Sequence, residues 1–109
     1  MKKEKTKKYY LSGKISGLSE YSYIRNFNNA YSEVLFYDEF DRNKDSIINP
    51  LLIEPFLGIK SHVAYMIADL YELRKCTHCV MQANWINSRG ACIEHYFAKF
   101  VFKLKIIYI

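Results

Sequence analysis

Short apolar runs alternate along the chain with longer segments whose apolar residues recur every three or four positions. The short runs predict four strands, because each is bounded by glycine, proline or polar residues. These strands cover Lys8–Ser12, Ser46–Asn49, Thr77–Ala83 and Leu104–Ile109. The periodic segments predict three helices, each preceded by a serine that can cap it. They run from Glu20 to about Phe36, over His62–Lys75, and from Ser88 to about Phe102.

Helical spacing predicts which face of each helix meets the core. The apolar residues that recur at this spacing are Tyr23, Phe27, Tyr31, Val34 and Leu35 on the first helix, Val63, Ile67, Leu70 and Tyr71 on the second, and Ile93, Phe97 and Phe100 on the third. Glu94 is then expected beside the core face of the third helix, where a carboxylate borders a cleft. The alternative is a first-turn glutamate that favours the helix dipole.

Strands that alternate with helices predict parallel pairing through right-handed crossovers. The expected fold is therefore a three-layer α/β sandwich of the flavodoxin-like kind, with four or five parallel strands and helices on both faces. One domain, residues 9–109, is expected after a disordered basic tail, residues 1–8. Ligands bind such sheets at the carboxyl ends of the strands. The loops 13–18 and 84–90 both follow strands, so both are predicted at that edge.

Charge changes the picture of possible partners. The net charge is +5, but residues 1–8 hold five Lys and one Glu, which leaves the rest nearly neutral. A charged run at a terminus is typical of a solvated tail, so nucleic acid is not predicted as a partner. No apolar run reaches the ~18 residues of a membrane span. With three cysteines and no secretion signal, the chain is expected in the cytoplasm, with reduced thiols.

Two segments carry candidate binding chemistry. The loop after the first strand contains Ser12, Gly13, Lys14, Ser16 and Gly17, and its glycines allow backbone N–H groups to approach an anion. An ordinary strand-to-helix turn is the alternative. The second segment holds Trp85, Ser88 and Gly90 at a helix N-terminus, which suits a phosphate or a carboxylate.

A zinc pattern is also present, formed by Cys76, Cys79, Cys92 and His95. Cys79 lies inside an apolar strand, and a closed zinc site needs four converging side chains. A metal site is therefore not predicted, and no cofactor is predicted either. Asp69 stands between apolar neighbours on the second helix, where a solvated helix face is the simplest interpretation.

Read together, these segments resemble the nucleoside 2-deoxyribosyltransferase-like superfamily, in particular its small bacterial and phage-type members of unassigned function. The resemblance rests on the segments Tyr10–Gly17, Asp69-Leu70 with Cys76, Trp85 to His95, and Ile106–Tyr108, in the family's order. It spans nearly the whole domain, and the segment from Trp85 to Glu94 is its most specific part.

The resemblance implies catalytic roles for three residues. Glu94 matches the glutamate that attacks the sugar C1′, Tyr10 the tyrosine that orients it, and Asp69 the acidic residue that helps at the sugar or base. It also implies that Ser88 and Gly90 hold a 5′-phosphate. Three positions depart from the family: Thr77 replaces an Asp, Cys92 a Gly, and Lys103 a Gly before the last strand.

The resulting expectation is cleavage or transfer at the N-glycosidic bond of a nucleoside or nucleotide, with a glutamate nucleophile. A nucleotide-binding or regulatory module without turnover is the alternative. A homodimer or larger assembly is also expected, because a small domain with ten Tyr and seven Phe tends to bury an aromatic surface. The expected contributors are aromatic residues of the first helix, Tyr21, Tyr23, Phe36 and Tyr37.

Overall fold

The computed structural model describes residues 6–109 and contains one sheet. Its strands are β1 (Lys8–Ser12), β2 (Ser46–Ile48), β3 (His78–Met81) and β4 (Lys105–Tyr108). The three α-helices are α1 (Glu20–Leu35), α2 (His62–Leu73) and α3 (Arg89–Tyr96). Short 3-10 turns occupy Pro50–Leu52, Phe56–Gly58 and Trp85–Asn87, and a π-helical turn, Phe97–Val101, continues α3.

All neighbouring strands pair in parallel, in the order β2-β1-β3-β4. The apolar residues of α1 pack on one face of the sheet, against Tyr9, Leu11 and Val80. Helices α2 and α3 cover the other face, around Tyr10 and Cys79. The predicted three-layer flavodoxin-like α/β fold is therefore confirmed, with four strands.

Serine caps begin all three α-helices, as predicted. The hydroxyls of Ser19, Ser61 and Ser88 each accept a hydrogen bond from the backbone N–H three residues later, at 3.1–3.2 Å. Each cap satisfies one N–H group that the first helical turn leaves without a partner. The helix starts are thus determined by local side-chain chemistry.

The buried faces of α1 and α2 agree only in part with those predicted. On α1, Phe27 and Val34 are buried as predicted, but Ala30 is buried as well and Tyr31 is exposed. On α2 the buried residues are Ala64 and Leu73, while Val63 and Ile67 are 70% and 44% exposed. Tyr71 is exposed as well. Leu70 packs against the core as predicted, but a small side chain, Ala64, makes the close contact on α2 where the spacing of large residues predicted Val63 and Ile67.

The domain begins earlier than predicted. Residues 1–5 of the predicted tail lie outside the described residues, but Lys7 and Lys8 belong to the fold. The backbone N–H of Lys7 donates to Oδ1 of Asp45 at 2.8 Å, and that of Lys8 donates to Oγ1 of Thr77 at 2.9 Å. Within residues 6–109, no helix has the length and apolar character needed to cross a membrane.

Lys103 has a left-handed backbone, with φ of 55°, between the π-helical turn and β4. The family resemblance has Gly at this position, and a residue with a Cβ is strained there because the chain leaves a helix with positive φ. Replacing Lys103 with Gly should stabilise the protein by about 1 kcal/mol. The melting temperature should then rise by roughly 4–8 °C.

Lys103→Ala is the matched control, because alanine keeps the Cβ and its strain at positive φ. It should leave the melting temperature near that of the natural protein. A lower melting temperature for Lys103→Gly would refute the claim that the backbone is strained at Lys103.

Candidate functional site

The site is built where β1 ends and α3 crosses the sheet. Tyr10 and Ser12 lie two residues apart on β1, so their side chains point to the same face of the sheet. That face is the one covered by α2 and α3. Glu94 of α3 meets both side chains there.

Both carboxylate oxygens of Glu94 accept a hydrogen bond. The Tyr10 hydroxyl donates to Oε2, and Oγ of Ser12 donates to Oε1 at 2.7 Å. Glu94 is only 5% exposed and Tyr10 is fully buried. The predicted hydrogen bond between Tyr10 and Glu94 is confirmed, and the bond from Ser12 is an additional contact.

Glu94 is part of the buried face of α3, which corrects the prediction that it lies beside that face. The buried residues of α3 and its π-helical continuation are Ala91, Glu94 and Ala98, whereas Phe100 is exposed. The two alanines flank Glu94 at helical spacing, and their small side chains bring α3 close to the sheet. The carboxylate consequently reaches β1.

Burial raises the pKa of the Glu94 carboxyl to about 7. The hydrogen bonds from Tyr10 and Ser12 oppose this rise, while the negative charge of Asp69 adds to it. Burial also raises the pKa of Asp69 to about 7. Oδ1 of Asp69 is buried without a hydrogen-bond partner among the described residues. The site thus contains two carboxyl groups that titrate near neutral pH.

The glycine loop after β1 is joined to the loop after β3. The backbone N–H of Lys14 donates to Oδ1 of Asn84 at 3.1 Å, so the two loops share one edge of the sheet, as predicted. Gly17 has φ of +85°, which favours glycine. The N–H groups of Ile15, Ser16 and Gly17 donate no hydrogen bond within residues 6–109, which leaves three donors for a ligand.

Gly90, at the start of α3, lies close to α2. A Cβ built on Gly90 would lie 3.3 Å from Cε of Met66, the end of a flexible side chain. Ser88 caps α3 through its side chain. The predicted contacts of Ser88 and Gly90 with a 5′-phosphate remain predictions.

Trp85 belongs to an aromatic cluster beside the site. Its ring stacks on His95 with centroids 4.2 Å apart, and Nε2 of His95 lies 2.7 Å from the Tyr108 hydroxyl. His95 therefore has partners other than a metal. Across the part of the chain that the structure describes, no three His, Cys, Asp or Glu side chains are grouped to hold a metal ion.

Gln82 is a residue that the sequence analysis did not single out. It follows the last residue of β3, is 5% exposed, and its Nε2 has no hydrogen-bond partner in the described chain. The available signal was its position, since a polar residue at the carboxyl end of a buried parallel strand lies where ligands bind.

A family model described as "Domain of unknown function (DUF4406)" matches residues 7–108. The chain belongs to the DUF4406 family. The match runs from the residue before β1 to the end of β4, so this DUF4406 domain and the folded domain coincide. No curated protein and no solved structure matches the chain.

Glu94 should make the stability of the DUF4406 domain fall as pH rises. Its pKa is 4.5 in the absence of the fold and about 7 inside it, so only the folded form stays protonated between these values. Stability from the neutral carboxyl is present at low pH and is lost as pH rises toward 7. Glu94→Gln cannot ionise, and its stability relative to the natural protein should increase by about 2–3 kcal/mol from pH 5 to pH 8. Thermal melts of both proteins across this range measure the difference.

Glu33→Gln, on the exposed surface of α1, is the matched control for the loss of a carboxyl group. A pH-independent difference for Glu94→Gln would contradict the raised pKa of Glu94.

Proposed function

We propose that this DUF4406 domain cleaves or transfers the N-glycosidic bond of a nucleoside or nucleotide, with Glu94 as nucleophile. The supporting observation is the buried Glu94 carboxylate held by Tyr10 and Ser12. Both donors come from one strand, so the orientation of the carboxylate is determined by the sheet. The resemblance of the sequence to nucleoside 2-deoxyribosyltransferase-like proteins gives the same nucleophile.

The proposed reaction has two steps. A Glu94 oxygen attacks the sugar C1′, and the bond from C1′ to the base nitrogen breaks with its electron pair leaving on the base. A glycosyl-enzyme ester results. Water then attacks C1′ and releases the sugar, or a second base attacks and gives a new nucleoside. Each carboxylate oxygen has more than one lone pair, so an oxygen that accepts one hydrogen bond can still attack.

Tyr10 and Ser12 stabilise the ionised form of Glu94, which a nucleophile requires. Their hydrogen bonds lower its pKa against the effect of burial. Asp69 is suited to give a proton to the departing base, because its raised pKa of about 7 leaves a neutral fraction at physiological pH. The Asp69 carboxyl also has an oxygen without an internal partner.

The two loops at the sheet edge supply the proposed binding groups. The free N–H groups of Ile15, Ser16 and Gly17 are donors for oxygen atoms of the sugar or of a phosphate. Lys14 adds a positive charge to the same loop. Ser88 and Gly90 supply the start of α3, and Trp85 supplies an aromatic ring close to it.

One observation favours a second candidate function. Both oxygens of Glu94 already accept internal hydrogen bonds, and the carboxyl group is almost fully covered. A buried network of this kind also fits a nucleotide-binding module without turnover. Such a module binds the ligand and releases no base.

Base release separates the two functions. We expect the natural protein to release free base from a 2′-deoxynucleoside or its 5′-monophosphate, and Glu94→Gln to lose this activity by at least about a thousandfold. Tyr10→Phe keeps the nucleophile and should lose roughly tenfold to a hundredfold. Chromatography of the released base measures the rates.

Thermal shift with the same compounds is the companion measurement, because a ligand that binds the native state stabilises it. Glu94→Gln should keep its shift. A shift without base release in the natural protein would instead support the binding module.

We also propose a homodimer in solution. Tyr21 and Phe36, at the two ends of α1, are 75% and 78% exposed, and Tyr37 is exposed next to Phe36. Burial of such aromatic side chains favours association. Light scattering at micromolar concentration should give twice the mass of the chain, and Phe36→Lys should reduce it. A monomeric mass for the natural protein would remove this proposal.

A further inference from the structure

Gln82 carries a polar group that the fold leaves without a partner. Only 5% of the residue is exposed, and its Nε2 is buried, yet Nε2 makes no hydrogen bond with residues 6–109. Leaving a buried amide unpaired lowers stability unless another molecule satisfies it. Gln82 follows β3, and its backbone N–H donates to the Ser12 carbonyl at 2.9 Å, so it lies directly beside the candidate site.

The carboxamide of Gln82 occupies the space where a side chain at position 13 would stand. A Cβ built on Gly13 would lie 2.5 Å from Cδ and 2.6 Å from Nε2 of Gln82. Gly13 is therefore a requirement of this arrangement, since a methyl group would displace the carboxamide. The first glycine of the loop and Gln82 form one unit at the carboxyl ends of β1 and β3.

These two ends are the topological switch point of the sheet. The chain leaves β1 toward β2 on one side and returns to β3 on the other, and ligands of open α/β sheets bind in the crevice between such strands. At this place, a bound ligand can supply the hydrogen-bond acceptor that Nε2 of Gln82 lacks. We propose that Gln82 is a specificity-determining residue, whose Nε2 donates a hydrogen bond to an oxygen of the bound nucleoside or nucleotide.

Contact with Nε2 requires the glycine loop to move, because the atom is covered. Few bonds hold this loop: one from the Lys14 N–H to Asn84, and one turn from the Leu18 N–H to the Ile15 carbonyl. Gly13 and Gly17 at its ends allow a change of backbone angles. When the loop opens, a ligand in the crevice can therefore accept a hydrogen bond from Nε2 of Gln82.

The test combines unliganded stability with ligand affinity. Gln82→Met keeps the size of the side chain and removes the amide. We expect its melting temperature without ligand to be equal or higher, because an unpaired buried polar group is lost. Its affinity for the ligand should fall about tenfold, which is the effect of one hydrogen bond. Opposite directions of the two effects exclude a merely structural role.

Affinities are measured by calorimetry in a Glu94→Gln background, with the four common 2′-deoxynucleoside 5′-monophosphates and the four nucleosides as probes. A loss confined to the monophosphates identifies a phosphate oxygen as the acceptor, and an equal loss for both sets identifies an oxygen of the nucleoside. Gly13→Ala is the second variant. Its methyl group would displace the carboxamide of Gln82, so this variant should also lower the affinity for the ligand.

Unchanged affinity in Gln82→Met would overturn the proposal, as would a lower melting temperature without ligand. The proposal would also be overturned if none of the eight probes bound to the protein. The inference rests on the proposed function only for the identity of the ligand. If the protein releases base but Gln82→Met does not change ligand affinity, this inference alone is refuted. If Gln82→Met lowers ligand affinity but the natural protein releases no base, only the proposed reaction is refuted.

Discussion

The burial of one carboxyl group constrains the arrangement around it. The side chain of Glu94 lies between α3 and the sheet, where an ionised carboxylate is unfavourable unless hydrogen-bond donors surround it. Tyr10 and Ser12 supply these donors, yet burial still raises the pKa of Glu94 to about 7. Helix α3 therefore has to lie close to β1, and the alanines at positions 91 and 98 make that distance possible.

The order of the strands brings two loops together near the contact between Glu94 and β1. Because β1 and β3 are neighbours, the loops that follow them meet at one edge, and the bond between Lys14 and Asn84 joins them. Donor groups of the glycine loop gather there, whereas the carboxyl groups of Asp69 and Glu94 belong to the helices of one face. This separation of donors from acids is one basis of the proposed binding of a nucleoside or nucleotide.

Local chemistry in the sequence was sufficient for the strands and the serine caps, because each depends on neighbouring residues. The three-layer arrangement followed from the alternation of strands with helices. The contact face of α2 was predicted wrongly, since hydrophobicity favours Val63 whereas close packing selects Ala64. Periodicity placed Glu94 beside the core face of α3 rather than in it, and the role of Glu94 with Tyr10 was predicted through a family resemblance. Gln82 was missed because its significance comes from Gly13, which is distant in sequence and adjacent in space.

A covalent sugar on Glu94 is the central claim, and intact-protein mass spectrometry tests it most directly. A 2′-deoxynucleoside with fluorine at C2′ slows the second step of a retaining reaction, because fluorine destabilises the charged transition state. Incubation with this compound should add one fluorosugar per chain, located by peptide mapping at Glu94 and absent in Glu94→Gln. Turnover of the unfluorinated nucleoside with no adduct, or an adduct on another residue, would contradict a nucleophilic role for Glu94.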